Sequence, residues 1–148
     1  MINQNGFTLV EIIIVIAIVG LILSFGMGID LSAFNRNTFQ AEEATIVSVL
    51  ERARSRAMAN LSDDAHGVCY VDPNYVIFQE DDGCDETAPA SELIPANVDI
   101  ATTSDFSDFP VVFNRLAGTV TGATIDIEVK DGIKSAHIII NNEGTINW

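Results

Sequence analysis

Apolar and polar positions follow three different patterns along the chain. From Leu9 to Ile29 the only ionisable side chain is Glu11, and the run Ile12–Leu23 is apolar on every face. A soluble helix shows a polar face, whereas a helix of about 20 apolar residues spans the hydrocarbon core of a bilayer. This pattern predicts a membrane-spanning helix over residues 7–29. A second pattern covers Thr38–Asn60, where Phe39, Ile46, Leu50, Ala53 and Ala57 recur at helical spacing. Thr38, with Gln40 or Glu42 nearby, offers a loose N-terminal cap. Residues 30–62 are read as the amphipathic second half of one long helix. Beyond Ser62 the period drops to two. Strands are predicted at Gly67–Val71 and Tyr75–Gln79, joined by Asp72-Pro73-Asn74, and further candidates lie at Asn97–Ala101 and Val111–Asn114. Thr124–Lys130 and Ser135–Asn141 alternate well around the turn residues Asp131-Gly132. Asn141–Gly144 is another turn, leading into Thr145–Trp148. Glu80–Glu92 reads as an exposed loop. The resulting fold class is α+β: a long N-terminal helix packed on an antiparallel sheet, with residues 63–148 as a β-rich head.

Charge sharpens this division. The 148-residue chain carries 21 acidic and 7 basic side chains, a formal charge of -14. Residues 1–35 hold only Glu11 and Asp30, while residues 57–114 hold acids and no Lys or Arg. Direct nucleic-acid binding is disfavoured, because phosphate contacts need clustered cations. Glu42 and Glu43 near the start of the second helix, with Arg52, Arg54 and Arg56 near its end, suit the helix dipole and surface pairing. Gly26 and Gly28 sit where the apolar run ends, either loosening the helix or packing closely in the membrane.

The residues around Glu11 carry a family resemblance. Gly6-Phe7-Thr8-Leu9-Val10-Glu11, followed by the apolar run, resembles the processing signal of type IV pilins and pseudopilins. The resemblance implies a leader at residues 1–6, cleavage between Gly6 and Phe7 by a prepilin peptidase, and N-methylation of Phe7. Met1–Gly6 departs from the pattern in lacking the Lys or Arg that such leaders usually carry. A carboxylate inside a membrane helix costs roughly 2.5–3.5 kcal/mol and usually has a partner. In a filament, Glu11 of one subunit is expected to pair with the Phe7 amine of its neighbour and to fix the register. Ala53–Ala57, Val112–Arg115 with Gly118, and Ile138–Ile146 resemble the minor pseudopilin H domain of type II secretion, a head shared with a minor pilin. The implied partners are the peptidase, other pilin or pseudopilin subunits and an inner-membrane assembly platform. The implied location is the bacterial inner membrane with a periplasmic head, then the pilus or pseudopilus. A single-pass anchor with an acidic binding head, not processed, is the alternative.

Other chemistry is sparse. His66 and Cys69 offer a base and a thiol, but a nucleophilic pair needs contact and a third orienting group, and positions 66 and 69 of a strand face opposite ways. His137 falls on a strand as a surface or edge residue. No enzyme activity and no cofactor are expected. Cys69 and Cys84 either form a disulfide, closing a loop of about 15 residues worth ~3 kcal/mol, or leave Cys69 buried and Cys84 free. Asp81, Asp82, Asp85 and Glu86 form a weak calcium candidate without the EF-hand spacing, and a solvated acidic loop is the plainer reading.

Overall fold

The computed structural model describes residues 8–26 and 31–148. The chain divides into two units, residues 1–35 and 36–148. The first contains helix α1, Leu9–Gly26. Thr8 caps it: its hydroxyl oxygen accepts the Glu11 N–H at 3.3 Å. Among the described residues no helix is long and apolar enough to cross a membrane. The 18 described residues of α1 rise about 27 Å. Of the predicted span 7–29, α1 covers Leu9–Gly26, and positions 7 and 27–29 lie outside the described residues. Gly28 lies there too.

Helix α2 runs Leu31–Met58. It starts seven residues before Thr38, which is therefore not its cap. Phe39, Ile46, Val49, Leu50, Ala53 and Ala57 are buried along one face, because i, i+3 and i+4 positions stack on one side of a helix. That face meets two antiparallel sheets rather than the single sheet expected. The first has the order β3-β2-β1-β4, with β1 His66–Val71, β2 Asn74–Gln79, β3 Glu92–Pro95 and β4 Val111–Phe113. The second has the order β5-β6-β7, with β5 Ile125–Lys130, β6 Ser135–Ile140 and β7 Ile146–Asn147. Val68, Tyr75, Ile77, Val111, Phe113, Ile127, Ile138 and Ile140 share one core with α2. The alternate residues Cys69, Val76 and Phe78 form a smaller apolar cluster.

The predicted strand at Asn97–Ala101 is instead the short helix α3, Val98–Ala101. Its β-branched residues favour a strand, but the Asn97 side chain accepts the Asp99 N–H at 3.1 Å and caps a helical turn. The segment after it closes the open edge of β5. Ser104 Oγ accepts the Lys130 N–H at 2.9 Å, the Asp105 N–H donates to Glu128 O at 2.8 Å, and Asp108 accepts the Asp126 N–H at 3.0 Å. Side chains here take the place of a neighbouring strand and protect an edge that would otherwise recruit one.

Candidate functional site

Of the residues singled out by the sequence, Gly6 and Phe7 lie outside the described residues. Glu11 lies in the first turn of α1 and is exposed. Around it, the large apolar side chains described in α1 are 48–75% exposed. Their burial is worth about 1.5–3 kcal/mol each, and nothing among the described residues of unit 1 supplies it. Glu11 makes no ion pair among the described residues. Its backbone N–H is held by Thr8, at 3.3 Å to the hydroxyl and 3.1 Å to the carbonyl. Thr8-Leu9-Val10-Glu11 has the spacing of a capping box. That signal was present in the sequence and adds Thr8 to the site: it fixes where the helix starts, and so where the carboxylate stands.

The head resolves its charges internally. Arg54 donates from Nε to Gly118 O at 3.2 Å and from Nη2 to Glu143 O at 3.0 Å. One guanidinium therefore ties the end of α2, the loop after β4 and the turn after β6. Gly144 is needed at this junction. Its φ is +76°, and a Cβ there would lie 1.9 Å from Gly118 O. Arg52 and Arg56 both bind the carboxylate of Glu92 on β3. The Arg cluster thus holds a strand and two loops, a specific role beyond complementing the helix dipole.

Glu42 departs from the sequence reading. It is buried, with 5% of its surface exposed. It accepts the Tyr75 hydroxyl at 2.6 Å and the Asn97 N–H at 3.1 Å, which joins α2 to β2 and to the start of α3. Burial, followed by the bond to Glu42, drives the Tyr75 hydroxyl pKa well above that of an ordinary tyrosine. Tyr70 beside it is pushed up to about 12, by desolvation first and then by its bond to Asp72. Apolar periodicity gives no warning that an acid occupies a core position; only the long-range donors do.

His66 and Cys69 are both buried on β1. Cys69 is disulfide-bonded to Cys84, with a Cα–Cα distance of 6.2 Å, so it offers no thiol to the histidine. The bond brings the acidic loop onto the small Cys69–Val76–Phe78 cluster. His66 Nδ1 has no hydrogen-bond partner among the described residues. Burial lowers the His66 pKa, helped by the nearby Arg56 guanidinium and opposed by Asp64. His137 is half exposed and bonds Asp126 at 2.9 Å. Among the described residues no three His, Cys, Asp or Glu side chains are grouped to hold a metal ion. In the weak calcium candidate, Asp85 instead accepts from Thr87 N and Oγ1 at 2.8 and 2.7 Å, which holds its pKa below the usual carboxylate range. Asp81, Asp82 and Glu86 join no such group.

Comparison with known proteins adds one match. Curated proteins and solved structures yield none. Residues 1–27 match the family model described as the prokaryotic N-terminal methylation motif. The chain therefore carries the N-terminal methylation motif of type IV pilin-like proteins over the segment that contains Gly6, Phe7, Thr8 and Glu11.

Proposed function

We propose that this protein is a minor pilin or pseudopilin, a structural subunit of a type II secretion pseudopilus or type IV pilus. The observation that carries this reading is the conjunction at the N-terminus. A methylation motif over residues 1–27 coincides with a helix whose apolar side chains are exposed among the described residues and whose one acid is Glu11. A prepilin peptidase cuts between Gly6 and Phe7, and Phe7 is N-methylated. Before assembly, the apolar segment anchors the chain in the inner membrane with the head in the periplasm. In the filament, neighbouring copies of this helix bury one another. Glu11 then accepts the Phe7 amine of the next subunit, because an unpaired carboxylate in so apolar a core is costly. The role is structural and non-catalytic.

The junction around Arg54 favours a head of the minor pseudopilin H type, since it ties together the three segments that carry that resemblance. The head's acidity disfavours direct DNA capture. N-terminal mass spectrometry of the membrane-extracted protein tests the reading: the expected first residue is N-methylated Phe7. Retention of Met1 would instead support an unprocessed single-pass anchor with an acidic head.

A further inference from the structure

The two ends of the Cys69–Cys84 bond stand in unlike surroundings. Cys69 is 3% exposed on β1 and packs with Val76 and Phe78. Cys84 is exposed, in the loop between β2 and β3. That loop holds it in place. The Gly83 N–H donates to Gln79 O at 3.1 Å, and the Asp85 N–H donates to Gly83 O at 2.9 Å. Ser91 Oγ donates to Asp85 O at 2.6 Å and closes the loop behind the cysteine.

Thiol–disulfide exchange is a displacement at sulfur, so it needs access to one sulfur and departure of the other. Burial closes Cys69 to an incoming thiolate, and attack falls on Cys84 Sγ. The incoming sulfur bonds to Cys84, the Cys69–Cys84 bond breaks, and Cys69 leaves with the electron pair and takes up a proton. A thiolate released beside Val76 and Phe78 has a raised pKa and leaves slowly. In the oxidising direction the Cys84 thiolate attacks the partner's disulfide. Cys69 then loses its proton and displaces the partner's sulfur, which departs as a thiolate. Charge selects the partner. Asp81, Asp82, Asp85 and Glu86 flank Cys84 and are all exposed. No Lys or Arg occurs from position 57 to 114, and none of the ion pairs among the described residues reaches these four carboxylates. The two bonds from Thr87 keep Asp85 ionised. An anionic thiol therefore approaches against like charges within a Debye length of the sulfur.

We infer that Cys69–Cys84 is a one-sided, charge-guarded exchange site: redox partners enter only at Cys84, and the acidic loop admits a neutral or cationic thiol or disulfide and rejects an anionic one. The burial of Cys69 fixes the point of entry, and the carboxylates fix the class of partner. The inference concerns the head alone and holds whether or not the N-terminal segment assembles into a filament.

The test uses the full chain in a non-ionic detergent and three thiols. The attacking thiolates are those of cysteamine (a net-neutral zwitterion), 2-mercaptoethanol (singly negative) and 2-mercaptoethanesulfonate (doubly negative). Each rate of reduction is divided by that thiol's rate with bis(2-hydroxyethyl) disulfide, which carries no charge. At an ionic strength of roughly 0.01 M the ratio is expected to fall about tenfold for each added negative charge, and at about 1 M the three ratios should converge. Asp81→Asn/Asp82→Asn/Glu86→Gln, which removes no hydrogen bond among the described side chains, should abolish most of the ranking without salt. After acid quench, alkylation and mass spectrometry, the first adduct is expected on Cys84, with the alkyl group on Cys69. An adduct on Cys69 would overturn the single point of entry. Equal ratios at low salt, or a ranking unchanged in the triple variant, would overturn the charge guard.

Discussion

In α1 the large apolar side chains are 48–75% exposed, whereas Leu50, Ala53, Val68, Ile77 and Phe113 in the head are wholly buried. The acids differ in the same way. Glu42 is buried and receives two donors from its own chain. Among the described residues Glu11 receives none on its carboxylate, and its backbone N–H is bonded by Thr8. The head closes its β5 edge, ties its loops through Arg54 and pins its acidic loop through Cys69–Cys84. Among the described residues of unit 1, hydrogen bonds are made only within its own helix and its cap. A unit that meets its own demands is a scaffold; under the proposed function, lipid or neighbouring copies cover the apolar surface of α1 and pair its carboxylate. That contrast sets the described surface of α1 apart from a head that satisfies its own groups.

The sharpest way to break the head's self-sufficiency is Gly144→Ala. A Cβ at 1.9 Å from Gly118 O, at φ +76°, forces the junction under Arg54 apart. We expect a loss of about 4 kcal/mol or more, measured by denaturant unfolding. A loss under about 1 kcal/mol would show that the loops yield easily and that Arg54 does not lock them. Next comes Glu42→Ala, which orphans the Tyr75 hydroxyl and the Asn97 N–H. The expected cost is about 2–3 kcal/mol, with Glu42→Gln costing less because it keeps an acceptor. Equal losses for the two would remove the case for a specific hydrogen-bonded carboxylate.

A smaller, pH-dependent effect comes from His66. Its folded pKa lies below the ordinary 6.5, so the unfolded chain takes up the proton first. Stability is therefore full above about pH 6.5 and declines as pH falls below it. Melting temperature against pH should show this slope, and His66→Gln should flatten it; an unchanged slope would assign the acid sensitivity to other groups.

The two units were not equally legible in the sequence. α1 needed only local information, a run apolar on every face, and the β1–β2 and β5–β6 pairs likewise declared themselves by alternation and turn residues. Strand β3 did not: it is four residues long, ends in Pro95, and is fixed by Arg52 and Arg56 from α2. Helix α3 was read as a strand because Val98 and Ile100 favour one, while the deciding bonds come from the Asn97 side chain and from Glu42, 55 residues away. The split into two sheets follows from pairings between distant segments that no local pattern encodes. Gly6, Phe7 and Glu11 were readable as a motif. Thr8 was readable too, as a Thr-x-x-Glu box, but its role became clear only with the helix start in view.

The smallest expected effect on stability belongs to the residue with the largest expected effect on function. Glu11→Val removes the one charge of α1. The variant should integrate into membranes and melt at the wild-type temperature. The decisive measurement is its abundance in the sheared filament fraction beside wild type. Loss from that fraction at normal membrane levels is the expected result; incorporation equal to wild type would contradict a role for Glu11 in assembly.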